Sequence, residues 1–287
     1  MTDHTIERKL YQGKIIVKFF GPTPDKPSRH IYTVNDVRKT GVTTYIGIKD
    51  KSGGLVPWAV GLAVRHIKEN FDATKHCDLS ELETLLYEAS KLHSARKKEA
   101  STIGDKAHKW CQQYILATLK KAEFPEMPTE KEVQIATSAF MDWVKEHAVK
   151  FVSTEKVVYS KKHDYIGCMD IEAIIRNRRY LVDLKTSNEL RNDVCMQTAA
   201  YLMADKEESG VPYKGRWAIR LSKETEEEYL ARMEAKNRAD FAPYTPFEAK
   251  YLDDTKDALR DDFDAFLGAK TLFEWDKKTD FYRNKQK

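Results

Sequence analysis

The stretch from residue 150 to residue 221 constrains the fold of this chain more than any other. Three apolar segments, KFVSTEKVVYS, YIGCMDIEAIIR and RRYLVDLKTS, are rich in β-branched and aromatic residues, which favour extended backbone. Only KKHD and RNR separate them. Connections this short join antiparallel neighbours, because a parallel return needs a long crossover. The period then becomes helical in DVCMQTAAYLMADKEE, and GRWAIRLS returns to a strand. The expected core is an α/β arrangement: an antiparallel three-strand meander, a helix and a further strand in one mixed sheet.

The flanks read differently. Residues 1–57 suggest two short strands, in KIIVKFF and in HIYTVNDVRKTGVTTYIGI, around the Pro-rich loop GPTPDKPSR. From Pro57 the pattern is helical, first in WAVGLAVRHIKENF and then in DLSELETLLYEASKLHSARKKEA, capped by Asp78 or Ser80. STIGDKAHKWCQQYILATLKKA reads as a separate helix. PTEKEVQIATSAFMDWVKEHA reads as another, with Thr129 and Glu132 spaced as a capping box. Beyond the core come a polar helix, KETEEEYLARMEAKNR, and a closing amphipathic helix that starts at FEAKYL. The expected division is 1–100, 101–222 and 223–287 within one compact unit.

Composition excludes several classes. With 41% hydrophobic and 33% charged residues the chain is globular rather than disordered. No apolar run reaches the length of a membrane span, and MTDHTIERKLYQGK lacks the pattern of a signal peptide. A cytoplasmic protein is expected (host cytoplasm if the source is viral), with no membrane partner. The four cysteines, Cys77, Cys111, Cys168 and Cys195, form no CxxC pair, so neither a zinc knuckle nor a disulfide framework is indicated. Cys111 reads as core. The net charge of +4 permits a phosphate-bearing partner without demanding one.

The chemistry lies in the meander. Asp183 and Lys185 are two apart on a strand and share a face. A turn centred between Arg176 and Asn177 puts Asp170 opposite Asp183. Facing carboxylates repel, and burial makes the repulsion worse. A hard divalent cation, Mg²⁺ or Mn²⁺, removes that cost and is suited by oxygen ligands. Lys185 then stands where a metal-bound water would be. Glu155 and Glu172 are further acids close by, and the sequence leaves open which of them joins the pair.

The succession GCMDIEAII, YLVDLKTS and QTAAYL, with an upstream Gly104-x-x-x-His108, resembles the PD-(D/E)xK nuclease superfamily, specifically its RecB-like exonuclease branch. The likeness runs from about residue 101 to 221. GVTTYIGIKDKSGGLVPWAVGLA is more loosely similar to the opening of phage and mitochondrial genome-maintenance exonucleases of that branch. The resemblance implies a restriction-endonuclease-like core and a Mg²⁺-dependent deoxyribonuclease that cleaves at DNA ends with two metal ions. It implies metal ligation by Asp170, Asp183, the Leu184 carbonyl and His108, with Glu155 completing the shell. Lys185 would position the attacking water, and Gln197 and Tyr201 would hold the scissile phosphate or chain end. Thr186 or Ser187 would donate to a phosphate oxygen. Linear DNA, single-stranded in one variant, is the implied substrate, in replication, recombination or repair. A homo-oligomer or a recombination protein is the implied partner. Relatives with an iron–sulfur cluster use a late cysteine trio, and no cysteine follows Cys195, so no cluster is expected. A structure-selective endonuclease on the same core and an inactive nucleic-acid-binding module are the alternatives.

Overall fold

Short-range alternation builds the first sheet. The computed structural model describes residues 5–21, 23, 30–71, 78–234, 241–252 and 255–279. Strands β1 (Thr5–Leu10), β2 (Ile15–Phe20), β3 (Ile31–Val34) and β4 (Val37–Lys39) pair antiparallel in the order β1-β2-β3-β4. This is four strands where the sequence suggests two. β1 is half charged and β4 is three residues long, so neither carries a strong apolar signal. The tight link between β3 and β4 is set by Asn35 and Asp36, whose φ values of 47° and 63° suit a two-residue hairpin turn. The Asn35 side chain also accepts the Ile16 N–H at 2.9 Å. Most of the Pro-rich loop lies outside the described residues, as does Cys77. VTTYI then forms a short helix, α1 (Val42–Ile46), rather than a strand.

Contacts divide the chain into residues 1–48 with 107–287, and residues 49–106. The N-terminal sheet therefore belongs with the 107–287 part, not with the helices that follow it as the expected boundary near 100 had it. The second unit holds α2 (Ser52–Asn70) and most of α3 (Leu79–Thr118). α2 starts five residues before Pro57, which lies past the first turn and so removes one intrahelical N–H donor. α3 is a single helix of 40 residues in place of the two expected. Nothing between Ala100 and Asp105 breaks it, and Thr102 returns its hydroxyl to the Lys98 carbonyl at 3.0 Å. Its start is a reciprocal cap: Glu81 N–H donates to Asp78 Oδ1 at 2.8 Å and Asp78 N–H to Glu81 Oε2 at 3.2 Å. The expected Thr129–Glu132 box does not form. Glu130 is still extended (ψ 125°), so α4 (Lys131–Glu146) begins one residue too late for Thr129 to cap it.

The second sheet is the mixed one the sequence predicts, with one strand added. β5 (Lys150–Ser160), β6 (Tyr165–Ile175) and β7 (Arg178–Lys185) form the meander. α5 (Asp193–Ser209) crosses to β8 (Gly215–Leu221), which pairs parallel with β7. α6 (Glu226–Glu234) follows. FEAKYL is not the start of the last helix: it is β9 (Phe247–Leu252), antiparallel to β8 at the sheet edge. Its partner strand lies 26 to 36 positions back (Leu221 pairs with Phe247 and Arg216 with Leu252), a distance a local helical reading misses. α7 (Lys256–Thr279) closes the chain. The fully buried Arg216 fixes it, donating to Asp262 at 2.8 Å and to the Cys195 carbonyl at 2.9 Å. No described helix is long and apolar enough to cross a membrane.

Candidate active site

Two backbone devices bring three carboxylates into a row across β5, β6 and β7. The first is the β6–β7 hairpin, turned by Arg176 and Asn177 with φ of 49° and 60°. Its ladder runs from Ile175–Arg178 to Ile171–Val182, so Asp170 and Asp183 occupy the next step. At that step the backbone ladder ends, and the Asp170 side chain takes over: Oδ2 accepts the Leu184 N–H at 2.8 Å. The second device is a bulge in β5. Phe151 pairs with Ala173 and Ser153 with Glu172, two residues against one. Beyond it Thr154 pairs with Ile171 and Lys156 with Met169, which sets Glu155 opposite Asp170. Without the bulge Thr154 would stand there. Glu155 has φ of 49°, a left-handed conformation unusual for a long side chain.

The row is short of positive charge. Asp183 is 1% exposed, and Lys185 Nζ lies 2.5 Å from its Oδ2. Apart from that ion pair, neither Asp183 oxygen has a hydrogen-bond partner among the described residues. Burial pushes the Asp183 carboxyl above its ordinary range; Lys185 pulls it back, Asp170 pushes it further, and His108 draws it down. Burial likewise raises Asp170 against the pull of Lys185 and the Leu184 N–H. Glu155 is raised by burial and by Asp170, with the Cys168 thiol, donating to Oε2 at 3.2 Å, acting the other way. Burial works to lower Lys185, but Asp183 and Asp170 outweigh it and hold the ammonium charged.

Glu172 takes no part in this row. It is 3% exposed, accepts from Ser153 at 2.9 Å and Lys156 at 3.3 Å, and pairs with Arg179 at 2.5 Å. Burial would raise it, but Lys156, Ser153 and Arg179 hold it below the usual carboxylate range. Lys156 also reaches Asp205 at 2.7 Å. The choice between Glu155 and Glu172 that the sequence left open falls to Glu155.

The other residues are distributed as follows. His108 is half-buried on α3, one turn after Gly104, close enough to act on Asp183. Leu184 is buried beside Asp170. Tyr201 on α5 is a core residue, and Gln197 donates to its hydroxyl at 3.2 Å. Its ring explains Gly167: a Cβ there would stand 2.3 Å from Tyr201 Cε1. Thr186 is half-buried just past β7. Ser187 is exposed and spends its hydroxyl on the Glu189 carbonyl at 2.8 Å. Arg179 is committed to Glu172. Trp110 is core, stacked on Tyr114 and bonded to the Glu126 carbonyl, whereas Trp58 is exposed. Two neighbours of the row escaped the sequence reading. Cys168 carries no motif, and Tyr32 lies more than a hundred residues upstream on β3.

Among the described residues no three His, Cys, Asp or Glu side chains converge as a ready ion cage. The donor set nevertheless suits a hard cation. The row offers buried carboxylate oxygens, two of them on Asp183 with no hydrogen-bond partner described beyond the Lys185 contact, and a cation relieves both their desolvation and their repulsion. In comparisons with known proteins, no family model matches this chain and no curated protein matches it.

Proposed function

We propose that the chain is a metal-dependent DNA exonuclease of the PD-(D/E)xK superfamily, RecB-like branch, built on a restriction-endonuclease-like core. The observation that carries this reading is the row itself: Glu155, Asp170 and Asp183 in register, with both Asp183 oxygens buried and hydrogen-bonded to nothing described beyond the contact with Lys185. The meander ending in Asp-x-Lys, then a helix, then a parallel strand, is the order that the resemblance implies.

Asp170 and Asp183 would hold Mg²⁺ or Mn²⁺, with the Leu184 carbonyl, Glu155 and His108 completing the shell. Bound there, a pair of such ions supplies Lewis-acid polarisation of the phosphate and a nucleophile at neutral pH. The chain's own residues do the rest. Lys185, held charged beside Asp183, orients the attacking water and stabilises its conjugate base. Asp170 fixes the end of β7 through the Leu184 N–H, so the two aspartates keep their spacing. Gln197, braced by Tyr201, presents its amide to the scissile phosphate or chain end. Thr186 follows Lys185 and donates to a phosphate oxygen, with Ser187 as a second donor once released from Glu189.

The test uses end-labelled linear and covalently closed circular DNA, with Mg²⁺ or with chelator. Wild type degrades linear DNA only with Mg²⁺, and Asp183→Ala does not. Equal degradation by Asp183→Ala sinks the catalytic assignment. Cutting of closed circles replaces the exonuclease by an endonuclease on the same site.

A further inference from the structure

The two edges of the five-stranded sheet are finished differently. At the β5 edge, side chains from the N-terminal sheet and its first turn reach the strand: Arg8 donates to the Val157 carbonyl at 2.6 Å and Tyr11 to the Tyr159 carbonyl at 3.0 Å. An uncovered edge is a template for another strand, and covering of this kind blunts it. At the opposite edge stands β9, and no strand among the described residues pairs with its outer side.

The ladder shows which backbone groups that edge presents. The Ser222 N–H donates to the Pro246 carbonyl at 2.9 Å, one step past the Leu221–Phe247 pair. Hydrogen-bonded and non-hydrogen-bonded pairs alternate along an antiparallel ladder, so Arg220–Glu248 and Ala218–Lys250 are bonded pairs. Phe247 and Ala249 therefore turn their N–H and C=O away from β8. Glu248 and Lys250, both exposed, sit on either side of Ala249 and share one face of the sheet.

We propose that β9 pairs antiparallel with β9 of a second copy of this chain, across a two-fold axis at Ala249, joining two five-stranded sheets into one. In this register Ala249 faces Ala249 of the partner subunit, and each donates its N–H to the other's carbonyl. Glu248 stands opposite the partner's Lys250, and Lys250 opposite the partner's Glu248. Both are non-hydrogen-bonded pairs, where side chains approach most closely and opposite charges stabilise. Arg220 already lies 3.2 Å from Glu248 and steadies it, and a carboxylate has room for a second cation. The adjacent registers that keep the same backbone bonding set Glu248 against Glu248 or Lys250 against Lys250, and like charges directly opposite destabilise. Charge thus selects one register, and it is self-complementary, as a two-fold interface requires.

The dimer does not depend on what the acid row binds, so the test is sedimentation equilibrium of the full chain in chelator, without DNA. A short strand pair is a small interface, and wild type is expected to dimerise with a Kd of roughly 10 µM. Lys250→Glu and Glu248→Lys are each expected to weaken this at least about tenfold, since both cross-strand pairs become repulsive. Mixed in equal amounts, the two variants are expected to form a heterodimer near wild-type affinity, because every pair is again of opposite sign. Ala249→Pro removes an outward N–H without touching the ladder to β8, and it is expected to abolish association while circular dichroism stays that of wild type. A wild type that stays monomeric overturns the proposal, as does a dimer that neither Lys250→Glu nor Ala249→Pro weakens. Failure of the mixture to associate overturns the Ala249-centred register. If Glu248→Lys fails to fold for want of its Arg220 pair, Lys250→Glu and Ala249→Pro decide alone.

Discussion

Two groups of buried acids stand within a few residues of each other on the same strands, and they are treated in opposite ways. Glu172 has Ser153, Lys156 and Arg179 around it and is held below the usual carboxylate range. Glu155, Asp170 and Asp183 share mainly Lys185; burial pushes all three up, and Asp170 adds to the rise at Glu155 and Asp183. The first group is a complete ion network of the kind a fold uses to fix register. The second is left with fewer positive partners than it has charges, which is costly unless something else arrives to neutralise it. On the function proposed above, the first group is structural and the second is the site.

The widest separation between the two comes from removing one acid of each. Asp183→Asn is expected to cut Mg²⁺-dependent DNA cleavage by about a thousandfold or more, since metal and water activation both depend on it. The same change leaves the melting point unchanged or higher in chelator, because it removes a repelled, buried charge. A matching loss of stability would place Asp183 in the structural group instead. Glu172→Ala is expected to do the reverse. Stripping one partner from a buried ion network costs about 3–5 kcal/mol, read by urea denaturation. A cost below about 1 kcal/mol would mean that Lys156 and Arg179 are content with Asp205 and water.

A smaller effect falls on the wall of the site. Gly167→Ala puts a Cβ 2.3 Å from a carbon of the Tyr201 ring, which lies in the core and cannot swing away freely. Overpacking of this kind costs about 1–3 kcal/mol. Pairing it with Tyr201→Leu should recover much of the stability but not cleavage, since Gln197 loses its brace. The smallest effect lies at the joint between the two sheets. Burial tends to raise Glu207, but Ser160, the Lys162 N–H, Tyr11 and the Lys161 N–H outweigh it and hold it low. A carboxyl depressed in the folded state stabilises above its unfolded pKa of about 4.3 and loses that contribution as pH falls through the folded value. The small deficit of Glu207→Gln at pH 7, at most about 1 kcal/mol, should therefore shrink as melts are run from pH 5 down to pH 3. A deficit that grows toward acid would reverse the sign.

The meander and the Asp170–Asp183 pairing were legible in the sequence. The strands β5, β6 and β7 carry β-branched runs bounded by polar turns. A two-residue turn fixes register, so Asp170 could be set against Asp183 by position alone. What stayed hidden was non-local. The bulge at Phe151–Ser153 decides whether Thr154 or Glu155 faces Asp170, and no residue type announces it. β9 needs β8 as a template, and its six residues read as well in a helix. Tyr32 packs against β5 and β6 only because one sheet meets another. The split of the acids into satisfied and unsatisfied groups depends on which lysine and arginine reach which oxygen, and only the folded chain fixes that.

The most direct test is a calorimetric titration of Mn²⁺ into metal-free wild type, Asp183→Asn and Glu172→Gln, each first shown to be folded by circular dichroism. The account predicts saturable binding to wild type, its loss in Asp183→Asn, and its retention in Glu172→Gln. No saturable binding to wild type, or equal binding to wild type and Asp183→Asn, would contradict it.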